Sequence, residues 1–154
     1  SVNVPDLCTQ GCTYTQGYWK THVDYAAKPQ FSKKRDANWD LIGADGEDTL
    51  FFASGMSYIA VMWTPPKGNA YYNLAHQYIA AKLNVLSGAG TTPAVASAIA
   101  EAEAWFAGRN PATKVSGAAR NTAISLAGTL GSYNEGAIGP GHCSESPATL
   151  LSSN

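Results

Sequence analysis

The longest apolar pattern in the chain runs from Ala70 to Leu86, where apolar residues recur at spacings of three and four. This is the period of an α-helix, and further apolar positions widen the stripe to nearly the whole circumference. The Pro-Pro pair before it prevents an earlier start, Asn69 is a suitable N-cap, and Ser87-Gly88 supplies a stop. We therefore predict a buried central helix over this range. The positions that it leaves for water or polar partners are mainly Asn73, Gln77, Lys82 and Asn84.

Shorter helical patterns precede and follow the central one. Thr92 and Pro93 are a favourable cap and first residue for one of them, and Gly108 lies just beyond its apolar stripe. The predicted segments are a short helix capped by Thr15, one that starts after Ser54 and stops at Thr64, one that begins at Pro93 and is ended by Gly108, and one at Val115–Tyr133. The sequence therefore predicts a mainly α fold, with about four helices packed around the central helix Ala70–Leu86.

The segment from Trp39 to Phe52 shows a different pattern. Apolar residues lie on both sides of Asp45-Gly46, and an Asp-Gly pair between apolar flanks is a strong signal for a tight β-turn. We predict a small β-hairpin here.

The two ends of the sequence differ from its middle. Residues 1–11 lack any periodicity, and the stretch after Tyr133 is rich in Gly, Pro and Ser. A chain of 154 residues suits one domain with a core of its own. The predicted organisation is an extended N-terminal arm at 1–11, a single helical domain at 12–143 and a C-terminal tail at 144–154.

Charge is scarce and nearly balanced. The chain has 10 basic and 11 acidic residues, a net charge of -1 and a charged fraction of 14%, well below the roughly 25% typical of globular domains. No basic patch typical of nucleic-acid binding is visible, and no apolar run approaches the ~20 residues of a membrane-spanning helix. Because the sequence begins at Ser1 without Met, we expect a mature secreted protein.

Three cysteines, Cys8, Cys12 and Cys143, lie near the two ends of the chain. A disulfide from either early cysteine to Cys143 would close a very long loop, which stabilises a fold by about 4.7 kcal/mol in the chain-entropy model. The remaining thiol would form an intermolecular bridge or stay free. The alternative is that all three cysteines are reduced and buried. We predict irregular ends tied by one disulfide.

Three blocks of sequence carry a family resemblance. They read CTYTQGYWKTH at Cys12–His22, TPPKGNAYYNLAHQYIAAKLN at Thr64–Asn84 and YNEGAIGPGHC at Tyr133–Cys143. The chain resembles a group of uncharacterised bacterial extracellular domains with a GYWKNH-type motif, and it departs from that motif at Thr21, where Asn is common. The resemblance implies export and a disulfide between the first and last blocks, and it implies no particular activity.

Histidines and acidic residues are the candidate metal ligands. His22, His76 and His142 would suit zinc or copper if they converged, but they form no local pair, and hydrogen bonds to the backbone or to tyrosine hydroxyls explain them as well. Hard oxygen ligands around Gly46 would suit calcium, although the EF-hand spacing is absent and a solvated turn is the simpler interpretation. The candidates for this calcium site are Asp36, Asp40, Asp45, Glu47 and Asp48.

Aromatic residues offer a second kind of candidate site, a platform on which a sugar stacks. The residues are Tyr14, Tyr18, Trp19, Trp39, Tyr71 and Tyr72. Burial in a core is the commoner role for such side chains. No nucleophile elbow, paired-carboxylate site or phosphate loop is recognisable in the sequence, so we predict that the protein is not an enzyme.

Low charge, apolar residues near both ends and an odd cysteine favour a non-enzymatic extracellular structural protein. We expect it to assemble with copies of itself into a filament or surface layer. Its assembly contacts are predicted at Val2, Val4, Leu7, Leu150 and Leu151. A secreted domain for polysaccharide binding or adhesion is the alternative hypothesis, and a metal-dependent secreted hydrolase built on the histidines is the third.

Overall fold

The computed structural model describes residues 11–144 of the chain. Within this range the α-helices are α1 (Gln16–Thr21), α2 (Tyr58–Met62), α3 (Ala70–Leu86), α4 (Pro93–Phe106) and α5 (Gly117–Asn134). Short 3-10 helices at Pro29–Lys34, Ala37–Leu41 and Gly46–Asp48 lie between α1 and α2. The predicted mainly α fold is confirmed.

Helix α3 is the centre of the fold and has the predicted boundaries. Asn69 Oδ1 accepts a hydrogen bond of 2.8 Å from the Tyr71 N–H, so the predicted cap is present. Buried side chains surround most of the helix, and α3 contacts each of the other four α-helices of residues 11–144. The broad apolar stripe in the sequence therefore reflects a helix that is covered on nearly every side.

Helices α2 and α4 begin at side-chain caps, one of which differs from the prediction. Thr92 Oγ1 accepts a hydrogen bond of 3.2 Å from the Val95 N–H, and α4 begins at Pro93 as predicted. Helix α2 starts later than predicted, because Ser57 caps it by accepting a hydrogen bond of 3.1 Å from the Ala60 N–H. Ser54 instead closes a turn with the backbone of Met56, so the predicted start after Ser54 is wrong.

The hairpin predicted at Trp39–Phe52 is also wrong. The segment forms two 3-10 helices, and its only strand-like feature in the described chain is an isolated antiparallel bridge from Leu50 to Ser57. Trp39 is fully buried, and its Nε1–H donates a hydrogen bond of 3.2 Å to the Trp19 carbonyl. Burial of this indole favours the compact 3-10 form over two extended strands, so the turn preference of Asp45-Gly46 does not decide the local structure.

A disulfide joins the two ends of the described chain. Cys12 is bonded to Cys143, with Cα atoms 5.0 Å apart and a sequence separation of 131. Beside it, Thr13 and His142 form an isolated parallel bridge with backbone hydrogen bonds of 2.8 Å on both sides. The predicted disulfide from an early cysteine to Cys143 is confirmed, and Cys12 is that cysteine. Cys8 lies outside the described residues.

Candidate functional site

Three segments that are distant in the sequence meet around the side chain of Asn84, which is fully buried. Its Oδ1 accepts hydrogen bonds from the Tyr14 N–H at 2.9 Å and from the Trp19 Nε1–H at 3.2 Å. Its Nδ2 donates to the Tyr14 carbonyl and to Asn134 Oδ1, both at 2.9 Å. Every hydrogen-bonding position of the amide is used, so Asn84 ties α1, α3 and α5 together.

Thr13 and Gly136 fix the chain that follows α5. Thr13 is fully buried, and its hydroxyl lies 3.0 Å from the carbonyls of Tyr133 and Asn134. Gly136 has φ +87, and a Cβ there would lie 2.4 Å from the His142 nitrogen. A side chain at Gly136 would therefore push this loop away from the body. The blocks Cys12–His22, Thr64–Asn84 and Tyr133–Cys143 are thus neighbours in space.

A cleft opens beside this network, between α1 and the first half of α3. It consists of two adjoining hollows of about 350 Å³ and about 290 Å³, which share Gln16, Lys20 and Gln77 in their walls. Trp63 and the Pro65-Pro66 pair add an apolar wall to the first hollow. The protein therefore has a concave surface with both polar and apolar residues in its wall, and its volume suits a small ligand.

Two lysine ammonium groups lie close to the Trp63 ring. Its Nε1–H donates a hydrogen bond of 3.0 Å to the Lys20 carbonyl, and Phe31 stacks on its ring at a centroid distance of 5.8 Å. The Nζ atoms of Lys20 and Lys28 each lie 4.6 Å from the ring centroid, at the distance of a cation–π contact. Neither ammonium forms an ion pair with a carboxylate of residues 11–144. The charge beside Trp63 is therefore not neutralised.

His76 lies in the wall of the first hollow and is buried. Its Nε2–H donates a hydrogen bond of 2.9 Å to the Val61 carbonyl, which ties α3 to α2. Burial lowers the pKa of the His76 imidazole, because the charged form loses its hydration. The ring is therefore neutral at pH 7 and adds no charge to the cleft.

The structure does not bring the three histidines together as a metal site. His22 stacks on Tyr18 at a centroid distance of 3.9 Å, and its Nδ1–H donates a hydrogen bond of 2.7 Å to the Tyr18 carbonyl. His142 pairs through its backbone with Thr13. In the part of the chain that the structure describes, no three His, Cys, Asp or Glu side chains are grouped so that they could hold a metal ion.

The acidic residues around Gly46 surround an arginine. Arg35 Nε lies 2.7 Å from Glu47 Oε2, and Arg35 Nη2 lies 2.7 Å from Asp40 Oδ1. Burial alone would raise the pKa of Glu47, but hydrogen bonds from Arg35 and the Asp24 N–H outweigh it and lower that pKa. The guanidinium thus pairs with two of the carboxylates that the calcium hypothesis assigned to a cation, those of Asp40 and Glu47. The side chains of Asp45 and Asp48 lie exposed on the same turn.

The predicted aromatic platform is divided between core and surface. Trp19, Trp39 and Tyr71 are buried in the core and cannot stack with a sugar at the surface. Tyr14 and Tyr18 are half-buried and stack on each other at 3.7 Å. The tryptophan at the cleft is Trp63, which sequence reasoning assigned only to a helix. The feature of the sequence that could have pointed to Trp63 is its position just before Thr64-Pro65-Pro66, where a helix must end.

The predicted assembly residues cannot be located. Val2, Val4, Leu7, Leu150 and Leu151 all lie outside the described residues 11–144. Within that range, no helix has the length and apolar character needed to cross a membrane.

The fold and the cleft define a mainly helical domain whose two ends are joined by a disulfide. Comparison of the chain with protein-family models, with curated proteins and with solved structures finds no match. The resemblance to bacterial extracellular domains with a GYWKNH-type motif therefore stays a prediction.

Proposed function

We propose that this protein is a non-enzymatic, extracellular structural protein that assembles with copies of itself. The observation that carries the proposal is the parallel bridge between Thr13 and His142. In a parallel pair both segments run in the same direction. The chain therefore enters the bridge at Gly11–Cys12 on one side and leaves it at Cys143–Ser144 on the other.

This geometry supports a head-to-tail contact between subunits. In the sequence, residues 1–10 precede the bridge and residues 145–154 follow it, and they contain the apolar residues Val2, Val4, Leu7, Leu150 and Leu151. In the proposed assembly these residues pack on a neighbouring subunit, where their apolar surface is removed from water. A contact between two different surfaces repeats along a line when its rotation does not close a ring. A filament is the assembly that we propose.

The outer faces of α4 and α5 carry little charge. The exposed residues of these two helices include only two charged ones, Glu101 and Arg120. Alanine, serine, threonine, asparagine and glycine make up most of the rest. Depletion of charge is typical of the centre of protein interfaces, because little charge must lose its hydration there.

The disulfide supports an extracellular location. Disulfides persist in oxidising compartments and are rare in the cytosol. The Cys12–Cys143 bond joins two segments that are 131 positions apart, so the protein gains a large part of its stability only where this bond is maintained. We therefore propose that the protein works after export.

Deletion of residues 1–7 tests the assembly proposal. We expect the variant to sediment as a monomer where the intact chain forms larger species, because Val2, Val4 and Leu7 are removed. Sedimentation velocity over a range of concentrations measures the change, and far-UV circular dichroism checks that the helices are retained.

The matched control is deletion of Ser152, Ser153 and Asn154, which removes no apolar side chain. This control should assemble like the intact chain. Equal sedimentation of the 1–7 deletion and the intact chain would contradict the proposal, and so would an intact chain that stays monomeric at high concentration.

A further inference from the structure

The residues that line the first hollow of the cleft carry a positive charge and no negative charge. Lys20 is in its wall, His76 is neutral, and no acidic residue lines it. The Lys20 ammonium is held beside the Trp63 ring at 4.6 Å and has no carboxylate partner among residues 11–144. Glu135 lines only the second hollow. A negatively charged group would therefore be favoured in the first hollow and disfavoured near Glu135.

The same hollow has apolar surface next to the charge. The Trp63 indole and the rings of Pro65 and Pro66 lie in its wall. A small inorganic anion has no apolar face to place against these rings. A pyranose ring does, because its axial C–H groups form an apolar patch that packs against aromatic and proline rings.

Amide side chains complete the wall. Gln16 and Asn73 each offer a planar amide, which pairs well with adjacent hydroxyl groups because it both donates and accepts. Gln77 Oε1 accepts a hydrogen bond of 3.0 Å from Asn134 Nδ2, so Gln77 offers its Nε2 as a donor. The Oε1 of Gln16 is shielded from solvent and has no donor among the described residues. A buried acceptor without a donor is unfavourable, and rotation of Gln16 into the cleft would allow a ligand hydroxyl to satisfy it.

From this combination we propose that the cleft beside Trp63 binds an acidic sugar unit of a polysaccharide, of the hexuronate class. The sugar ring packs against Pro65 and Pro66 beside Trp63, and its carboxylate pairs with Lys20. Its hydroxyls bond to Gln16, Asn73 and Gln77. This site is separate from the proposed assembly contacts, so either proposal can fail without the other.

Isothermal titration calorimetry on the full chain tests the site. The probes are a hexamer of galacturonic acid, a neutral hexamer of glucose, and inorganic phosphate. We expect the acidic hexamer to bind and the neutral hexamer to bind at least about tenfold more weakly, because it lacks the charge-assisted hydrogen bond to Lys20.

The variant Lys20→Gln should weaken binding of the acidic hexamer about tenfold. Its fold should be retained, because the substitution keeps the Lys20 carbonyl that accepts from the Trp63 Nε1–H, and Lys28 still lies over the Trp63 ring. Lys114→Gln is the matched control, since Lys114 is exposed and lines neither hollow. It should bind like the unaltered chain.

Three results would overturn the assignment. One is equal affinity for the acidic and neutral hexamers, or no binding of either. The second is an equal loss of affinity in Lys20→Gln and Lys114→Gln. The third is phosphate binding as tight as that of the acidic hexamer, which would show that the hollow recognises charge alone. Sedimentation of Lys20→Gln should match that of the unaltered chain, because Lys20 takes no part in the proposed assembly.

Discussion

Asn84 combines full burial with four hydrogen bonds, to the backbone of Tyr14 and to the side chains of Trp19 and Asn134. The groups that it contacts are themselves largely shielded from water. A buried polar group that loses its partner costs about 1–3 kcal/mol. The energetic importance of Asn84 therefore comes less from the strength of its bonds than from the groups that would be left unpaired without it.

Substitution Asn84→Ala should lower the free energy of unfolding by about 3–4 kcal/mol, because several buried donors and acceptors lose their partner together. Urea denaturation followed by circular dichroism measures the change. Asn73→Ala is the matched control on the same helix, since Asn73 is exposed, and it should change stability by less than about 0.5 kcal/mol. Similar effects of the two substitutions would contradict the proposed role of Asn84.

At the scale of elements, the loop after α5 shows how backbone geometry fixes a segment without regular structure. Gly136 and Gly141 both have positive φ, +87 and +99. They differ in surroundings, because a Cβ at Gly136 would lie 2.4 Å from the His142 nitrogen, whereas a Cβ at Gly141 would meet nothing within 4 Å. Substitution of Gly141 therefore measures the cost of the backbone conformation alone. Substitution of Gly136 measures that cost together with the cost of a clash.

Gly141→Ala should lower the free energy of unfolding by about 1–2 kcal/mol, the cost of a left-handed conformation for an L-residue. Gly136→Ala should cost about 1–3 kcal/mol more, because His142 must also move. Urea denaturation of both variants measures the difference. Equal losses of unfolding free energy in the two variants would mean that the loop moves to accept the new side chain without loss of stability. The close packing of Gly136 on His142 would then contribute nothing to stability.

At the scale of the whole molecule, the Cys12–Cys143 disulfide closes the chain over a separation of 131. The chain-entropy model gives about 5 kcal/mol for a loop of this length, because the bond restricts the unfolded chain. The buried contacts of Thr13 lie next to the bond. The covalent link and the hydrogen bonds therefore hold the same two segments together.

The double substitution Cys12→Ser with Cys143→Ser should lower the free energy of unfolding by about 2–5 kcal/mol. Cys8→Ser is the control, and it should change stability by less than about 0.5 kcal/mol because Cys8 is not part of this bond. Urea denaturation under non-reducing conditions measures both effects. A loss in Cys8→Ser as large as that in the double variant would contradict the assigned pairing.

Local sequence signals predicted those parts of the fold that depend on residues adjacent in the sequence. Asn69 at the start of α3 and Thr92 at the start of α4 were identified correctly, because a cap and the turn that it serves are adjacent in the chain. The hairpin at Trp39–Phe52 was wrong for the opposite reason. Trp39 is held by contact with Trp19, and no local pattern reveals a partner twenty positions away.

The candidate site was predicted less well than the fold. Sequence reasoning placed Trp19 and Trp39 on a possible sugar platform, but both are buried, and Trp63 at the cleft was not selected. A binding cleft requires residues from separate segments, here Lys20, Trp63 and Gln77. Sequence spacing alone does not show that such residues meet.

The helical class, the boundaries of α3, the start of α4 and a disulfide from an early cysteine to Cys143 were predictable from the amino-acid sequence alone, because each follows from periodicity, capping or composition. The folded chain was needed to see that Cys12 is the partner, that Asn84 joins three segments, and that Arg35 pairs with carboxylates of the acidic turn. The physical reason is the range of the interactions. Capping and helix periodicity act over about four residues, whereas burial and long-range hydrogen bonds depend on which segments pack together.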